Sequence, residues 1–152
     1  MDLRDTAVVL LHFGDPKVTE VALEVLRRVY PDPRGPHLFV VENGLSSLAL
    51  EAFQGVTRVS LPENLGYGAG NNLGIHAALS EGAQFVILLN NDVRISEGVL
   101  EAMRHAADRP SVGIVGLPLQ EPEGLVWGGG RISWWTLRAR LLRESEVPAA
   151  SL

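Results

Sequence analysis

Three polar residues, Asn90, Asn91 and Asp92, directly follow an apolar run from Phe85 to Leu89. A short apolar run of this kind is typical of a buried strand, and open α/β sheets bind ligands just beyond the carboxyl ends of their strands. One carboxylate beside two amides suits Mg²⁺ or Mn²⁺, which leaves most of its positions to water and phosphate oxygens. The junction therefore predicts a metal and phosphate site. A simple turn, with Asp92 as a capping residue, is the alternative.

Polar side chains also follow two other predicted strands. Glu42 and Asn43 come after the second strand, and Asn64 comes after the third. Because the carboxyl ends of parallel strands lie at one edge of a sheet, we expect these residues and Asp92 to converge on one crevice. For Glu42 and Asn43, too, a turn is the alternative.

Several other kinds of site are excluded because their motifs are missing. The first predicted strand is not followed by G-x-G-x-x-G, and the glycines at 66, 68 and 70 have the wrong spacing for NAD. The only lysine, Lys17, lies in no P-loop sequence. Neither a G-x-S-x-G elbow nor an H-E-x-x-H zinc motif occurs. Ligand spacing is also absent from the four histidines, at 12, 37, 76 and 105.

The composition fits a single enzyme domain. A chain of 152 residues that is 46% hydrophobic is able to bury one core. The absence of cysteine fits a cytoplasmic location. A net charge of −5 argues against nucleic acid as a partner. Since no apolar stretch reaches about 18 residues and Met1 begins no basic, apolar leader, we expect neither a spanning helix nor a secretory signal.

Strand-like and helix-like segments alternate along the chain. Strands are predicted at 6–13, 38–41, 56–61, 85–89 and 112–115, and helices at 16–29, 47–53, 68–79 and 96–107. The first helix has Asp15 as its N-cap and Pro16 in its first turn. Its predicted buried face comprises Val18, Val21, Ala22, Val25, Leu26 and Val29. The alternation predicts an α/β fold with a mostly parallel sheet and helices on both faces.

The last part of the chain has a different pattern. Between Val126 and Arg143 lie four arginines, all three tryptophans and no acidic residue. We interpret 131–152 as an amphipathic C-terminal segment with a helix over 131–143. One broad side of that helix comprises Trp134, Trp135, Leu137, Leu141 and Leu142, with Arg138, Arg140 and Arg143 interleaved. Such a helix suits a homo-oligomer interface or peripheral contact with an anionic membrane, and packing on its own domain is the alternative.

Taken together, these motifs resemble the donor half of an inverting family 2 glycosyltransferase with the GT-A fold, in its rhamnosyltransferase-like branch. The matching pieces are Ala7–Leu11, Val40–Gly44, Leu61–Ile75 and Val86–Val93. The specific part is Asn-Leu-Gly-Tyr-Gly at 64–68, followed at this distance by Asn-Asn-Asp. On this resemblance, residues 1–130 are a nucleotide-sugar-binding domain with a Rossmann-like sheet.

The resemblance also implies roles for individual residues. Contacts to the donor nucleotide are implied for Glu42, Asn64, Gly66, Asn71, Asn90 and Asn91. Glu42 replaces the family's usual aspartate near the base and ribose. Asp92 completes the position of the family's Asp-x-Asp motif, which implies that it holds Mg²⁺ or Mn²⁺ on the diphosphate. The implied donor is a UDP- or dTDP-linked sugar, and the implied acceptor is a saccharide or a lipid-linked molecule.

No catalytic residue is assigned from the sequence. The resemblance covers the donor half alone, so we expect a truncated member whose acceptor half and general base lie beyond Leu152. The late glutamates at 121, 123, 144 and 146 sit in no base motif, and His12-Phe13-Gly14 stands where the family has an Asn-containing strand end. Two alternatives remain open, an inactive nucleotide-sugar-binding module and a sugar-nucleotide nucleotidyltransferase. The expected location is the cytoplasm, including the inner face of the membrane.

Overall fold

The first compact unit of the protein has an α/β fold, with one β-sheet and helices packed against it. The computed structural model describes residues 2–31, 34–45, 48–120, 126–127, 130–133, 135–136 and 138–141. They belong to two compact units, Met1–Arg104 and His105–Leu152. All the residues with implied roles lie in the first unit. The division at residue 130 stays a prediction.

Four parallel strands form the sheet of the first unit. They are β1 (Thr6–His12), β2 (His37–Asn43), β3 (Val56–Leu61) and β4 (Phe85–Asn90), in the order β3-β2-β1-β4. The chain builds outward from β1 in one direction through β2 and β3, and β4 then pairs with the other side of β1. This reversal creates a topological switch point at the carboxyl ends of β1 and β4, which is where open α/β sheets bind ligands.

Helices cover both faces of the sheet, as predicted. They are α1 (Pro16–Val29), α2 (Tyr67–Ser80) and α3 (Val99–Ala107), and a 3₁₀ turn spans Leu50–Ala52. The core cluster on one face combines Val8, Leu10 and Val40 of the strands with Leu23 and Leu26 of α1 and Leu100 of α3. On the other face, Val9, Phe39 and Val41 pack with Ala78 of α2. The α/β fold class is therefore confirmed.

Helix α1 begins as the sequence predicts. The Asp15 side chain accepts a hydrogen bond from the Lys17 backbone N–H at 3.0 Å, and Pro16 occupies the first position of the helix. Because residues 15–17 build a helix start, the segment after β1 does not form the Gly-rich basic loop that a nucleotidyltransferase requires.

The buried face of α1 differs from the prediction. Thr19, Ala22, Leu23 and Leu26 are buried, whereas Val18 and Val21 are exposed. The predicted face was therefore wrong by part of a turn. The spacing of the apolar residues predicted that these valines are buried. Instead a polar residue, Thr19, takes a buried position, because it has hydrogen-bond partners there.

Helix α2 packs closely against the sheet through small residues. Gly70, Gly74 and Ala78 are buried at spacings of four residues along one side of the helix. A Cβ atom placed on Gly74 would lie 2.5 Å from Val9 Cγ1 and 2.7 Å from Val41 Cγ2. Only glycine fits at this contact, so the glycines that weaken the predicted helix are the residues that let it dock.

Arg104 anchors α3 to the amino ends of two strands. Its guanidinium donates to Asp5 Oδ2 at 2.8 Å and lies 3.5 Å from the ring centroid of Phe85. The hydrogen bonds from Arg104 hold the pKa of the Asp5 carboxyl below its ordinary value. This contact lies at the edge of the sheet opposite the switch point.

The second unit contains two short antiparallel pairs. β5 (Leu119–Gln120) pairs with β6 (Val126–Trp127), and β7 (Gly130–Ser133) pairs with β8 (Arg138–Leu141). The strand predicted at 112–115 is wrong, because these residues have neither helical nor strand structure. Gly113 and Gly116 interrupt this apolar stretch, and glycine weakens strands.

The helix predicted over 131–143 is also wrong for the residues that the structure describes there. They form the β7–β8 hairpin, with Arg131 opposite Arg140 and Ser133 opposite Arg138. The Thr136 N–H donates to the Ser133 carbonyl at 3.3 Å in the turn. Trp134, Leu137, Leu142 and Arg143, and the glutamates at 121, 123, 144 and 146, lie outside the described residues. None of the described helices is long and apolar enough to cross a bilayer.

Candidate functional site at the carboxyl edge of the sheet

The strand ends bring most of the predicted site residues to one edge of the sheet. The register places His12 beside Glu42, and Leu11 beside Asn90. Asn91 and Asp92 then leave β4 in a turn that is closed by a hydrogen bond of 3.1 Å from the Val93 N–H to the Asn90 carbonyl. The site therefore begins where the sheet topology predicts it.

Asn43, at the end of β2, organises the loop that leads into α2. Its Nδ2 donates to Asn64 Oδ1 at 2.9 Å and to the Gly66 carbonyl at 3.2 Å, and its Oδ1 accepts from the Leu65 N–H at 2.9 Å. Asn64 Oδ1 also accepts from the Gly66 N–H at 2.8 Å. The side chain of Asn43 passes beside Gly70, where a Cβ would lie 3.3 Å from its amide. Asn43 was expected at this edge together with Glu42 and Asn64, but its part in holding the loop was not predicted, since its Asn-Gly sequence is also typical of a turn.

The amino end of α2 faces the same edge. Gly66 is the N-cap, with φ of 83° and ψ of 170°, a conformation that glycine adopts without strain. The Tyr67 hydroxyl donates to Asn90 Oδ1 at 2.8 Å, which connects the first turn of α2 to the end of β4. The first backbone N–H groups of a helix have no partner within it and carry partial positive charge. This end of α2 therefore favours an anion beside β4.

Asn90 and Asn91 are held from opposite sides. Tyr67 binds the Asn90 side chain, while Asn91 Nδ2 donates to Thr19 Oγ1 of α1 at 2.8 Å. His12 Nδ1 lies 2.8 Å from the same hydroxyl oxygen. Both His12 and Thr19 are buried. Two helices thus fix the side-chain amides of the two residues that precede Asp92.

Burial lowers the pKa of His12, although the carboxylates of Glu42, Asp15 and Glu20 oppose this shift. In the unfolded chain the imidazole titrates near its ordinary pKa of 6.5. Just below that pH the unfolded state therefore binds a proton that the folded state does not. The free energy of unfolding consequently rises with pH through the window between the two pKa values, and the full contribution is present above pH 6.5.

We expect acid destabilisation that begins below about pH 6.5 and has a slope of at most about 1.4 kcal/mol per pH unit for this one group. Urea unfolding at several pH values between about 5 and 8 measures it. His12→Gln should flatten the slope in this window, whereas the same change at the exposed His76 should leave it unchanged. An unchanged slope in the His12 variant would assign the effect to another group.

Asp92 is exposed and stands at the end of this arrangement. Among the residues that the structure describes, no three His, Cys, Asp or Glu side chains come together as a metal site. A single exposed carboxylate fits one mode of Mg²⁺ or Mn²⁺ binding, in which phosphate oxygens and water supply the remaining ligands. It does not fit a cation held by protein groups alone.

Two residues with implied donor contacts point into the protein. Glu42 is 5% exposed, and its Oε2 accepts from Ser60 Oγ at 2.7 Å and lies 3.5 Å from Arg58 Nε. Asn71 is buried, and its Nδ2 donates to the Tyr67 carbonyl one turn earlier in α2 at 2.9 Å. Asn71 therefore supports the start of α2, and Glu42 closes the end of β2 against β3.

One family model matches most of the chain. The family described as glycosyl transferase family 2 matches residues 24–146. This match includes β2, β3 and β4, the loop at Asn64 and the Asn90–Asp92 turn.

Similar proteins give less detail. The uncharacterized proteins Rv1525 of Mycobacterium tuberculosis and Mb1552 of Mycobacterium bovis are each 41% identical to the chain over 63 residues, which is 41% of this chain and 24% of each relative. The chain thus matches about a quarter of the length of these curated relatives. A crystal structure of S. aureus TarS 1-349 has a TM-score of 0.49 and 16% identity, and the likeness covers 80% of this chain and 40% of that chain. Likeness at this level says nothing about function.

Proposed function

Since the chain belongs to glycosyl transferase family 2, we propose that it binds a nucleoside diphosphate sugar at the carboxyl edge of its sheet. The observation that carries the proposal is the Asn90–Asp92 turn. It leaves the sheet at the switch point, it is joined to the amino end of α2 by the bond from Tyr67 to Asn90, and it presents an exposed carboxylate. A diphosphate there would meet both partial positive charge and a metal ligand.

Asp92 is the residue that would hold Mg²⁺ or Mn²⁺. A bound cation would neutralise the negative charge that develops on the departing nucleoside diphosphate. The amide groups at the start of α2 would bind phosphate oxygens from the other side. Asn64, Gly66 and Asn71 would contribute by shaping this helix start. We propose that the side chains of Asn64 and Asn71 do not contact the donor directly.

For the nucleobase we propose Phe13 as the main contact. Phe13 directly follows β1 and is 64% exposed, which leaves its ring free for stacking, whereas Glu42 is already bound by Ser60 and Arg58. Stacking of a base on an aromatic side chain contributes about 1–3 kcal/mol. Because every base can stack on an aromatic ring, this contact accommodates the pyrimidine of a UDP- or dTDP-linked donor. The signal in the sequence was an aromatic residue at the end of the central strand.

The reaction we propose is transfer of the sugar to a saccharide or lipid-linked hydroxyl. The hydroxyl oxygen bonds to the anomeric carbon, the bond from that carbon to the diphosphate oxygen breaks, and the hydroxyl proton passes to a general base. We propose that the described residues supply the donor side of this step, and that the base comes from elsewhere.

Calorimetric titration tests the donor site. We expect UDP or dTDP to bind in the presence of Mn²⁺ or Mg²⁺ and to bind much more weakly in the presence of a chelator. Titration with GDP measures how much the affinity depends on the nucleobase. Phe13→Ala should weaken the binding of UDP about fivefold or more if the base stacks on this ring. The donor site is refuted if no nucleotide binds with metal present.

We further propose that the β7–β8 hairpin contacts an anionic membrane surface on the cytoplasmic side. Trp135 lies in the turn and is 98% exposed, and Arg138 and Arg140 are exposed on β8. An interfacial tryptophan beside arginines matches the chemistry of an anionic lipid surface. The element proposed to contact the membrane is therefore this hairpin, and not the helix that was predicted for the segment.

Co-sedimentation with vesicles tests the hairpin. We expect binding to phosphatidylglycerol vesicles but not to phosphatidylcholine vesicles, and a loss of about fivefold for Arg138→Ser, since each basic residue near the surface contributes about 1 kcal/mol. Trp135→Ser should also weaken binding, whereas Arg28→Ser on α1 is the matched control. If the hairpin variants change only the sedimentation coefficient, the surface is a homo-oligomer interface instead.

A further inference from the structure

We propose that Thr19 of α1 is a positioning residue, which orders the Asn91–Asp92 turn through the Asn91 side chain. The inference deepens the proposed function and rests on it for the identity of the ligand. Its basis is geometric. One hydroxyl group on a helix lies 2.8 Å from side chains at the ends of two strands, Asn91 Nδ2 of the β4 turn and His12 Nδ1 of β1.

The direction of these contacts follows from the chemistry of the groups. An amide NH₂ group only donates, so Thr19 Oγ1 accepts from Asn91. The hydroxyl hydrogen then remains for His12 Nδ1, which accepts it when the imidazole is neutral with its proton on Nε2. The lowered pKa of His12 favours the neutral ring. A directed chain therefore runs from Asn91 through Thr19 to His12.

Packing alone does not account for a threonine at this position. Thr19 is fully buried on the face of α1 that also carries Ala22, Leu23 and Leu26, and valine has the same shape. A buried hydroxyl is costly unless it is hydrogen-bonded. Here its two partners are the residue before Asp92 and the last residue of β1, so the hydroxyl ties the turn to the core.

The consequence for the site is a fixed Asp92. Tyr67 holds Asn90 from α2, and Thr19 holds Asn91 from α1. Neither amide then needs to contact the donor, because each acts on the backbone that carries the carboxylate. A site held in advance loses less order when it binds.

The test uses the full chain with Thr19→Val, which removes the hydroxyl and keeps the shape, and Thr19→Ser, which keeps the hydroxyl. Hydrogen exchange of the Val93 amide, which donates across the turn to the Asn90 carbonyl, reports the order of the turn without any nucleotide. We expect exchange about tenfold faster or more in Thr19→Val and near the wild-type rate in Thr19→Ser. Exchange of the Leu26 amide in α1 is the control for global unfolding.

Mn²⁺-dependent UDP binding is the second measurement. We expect the Mn²⁺ concentration for half-saturation in the presence of UDP to rise about tenfold in Thr19→Val and little in Thr19→Ser. If Thr19→Val fails to fold, Asn91→Ala breaks the same contact at its other partner, which is only half-buried, and should give the same faster exchange at Val93.

The outcomes separate the two ideas. Val93 exchange that is unchanged in Thr19→Val, or raised only in step with Leu26, overturns the positioning role. Val93 exchange that rises selectively while the wild-type chain binds no nucleotide supports the positioning role and overturns the proposed donor site.

Discussion

Replacing Asp92 with asparagine is expected to remove most of the metal-dependent affinity for a nucleoside diphosphate. The loss of a contact made by a charged group costs about 1.5–3 kcal/mol, which is a factor of about ten or more in the dissociation constant. The fold should be unaffected, because Asp92 is exposed beyond the end of β4. Titration of the wild type and the variant with UDP, with and without Mn²⁺, measures the difference.

Glu81→Gln is the matched control for this change. Glu81 is also exposed but caps the far end of α2, so it tests for a general effect of net charge. We expect it to bind UDP and Mn²⁺ as the wild type does. An Asp92 variant that binds normally would make this residue an ordinary turn residue, and one that unfolds would make it structural.

The largest expected effect on stability is that of Gly74→Ala. The added Cβ would lie 2.5 Å from Val9 Cγ1 and 2.7 Å from Val41 Cγ2, and both valines are fully buried in the two central strands. Overpacking of this kind costs about 1–3 kcal/mol. Because two contacts fall below 3.0 Å against buried side chains, we expect a cost above the low end of this range, which exceeds the helix-propensity gain of up to about 1 kcal/mol that alanine gives over glycine. Denaturant unfolding should therefore show a clear net loss.

Gly68→Ala in the same helix separates the two contributions. A Cβ on Gly68 would meet no heavy atom within 4 Å, so only the propensity remains. The free energy of unfolding should stay the same or rise by up to about 1 kcal/mol. Equal effects at the two positions would show that α2 is free to move away from the sheet. The close approach of this helix would then not be a requirement of the fold.

Much of the first unit was predictable because its strands and helices are short, have a regular pattern of apolar residues and are bounded by capping residues, prolines and glycines. The third strand, Val56–Leu61, has the predicted bounds, and α1 begins at Pro16 behind the predicted Asp15 cap. These features depend on local chemistry that the sequence displays directly. The order of the strands relies on packing between distant residues, which no local pattern contains.

The place of the candidate site in the fold was predictable, but the contacts of its residues were not. The position of Asn90–Asp92 follows from the end of an apolar run, yet the partners of the two amides come from α1 and α2, far away in sequence. The sequence also gave no sign that Glu42 turns inward to Ser60 and Arg58. Such contacts depend on which face of each helix meets the sheet. The buried face of α1 was predicted wrongly at Thr19, because only apolar residues were expected to be buried.

The hairpin in the second unit was mispredicted because residues 131–143 fit both the periodicity of a helix and that of a strand. In a helix over 131–143, the large apolar residues would lie on one side, but Arg138 would lie among them. The alternation Arg138-Ala139-Arg140-Leu141 has the period of a strand, and Gly130 and Ile132 fit β7 better than a helix. Arg138 was the sign that the shorter period applied.

The Asn43 contacts also bear on the chemical ageing of the protein. An Asn-Gly pair deamidates when the backbone nitrogen of the glycine attacks the side-chain amide carbon. Here the Gly44 N–H donates to the Glu42 carbonyl at 3.1 Å, and the Asn43 amide is bound at both its oxygen and its nitrogen. Neither reacting group is free to rotate toward the other. The dipeptide that is most labile in the unfolded chain should therefore keep its amide for as long as the protein stays folded, and peptide mapping for isoaspartate in aged native and urea-treated samples would reveal the contrast.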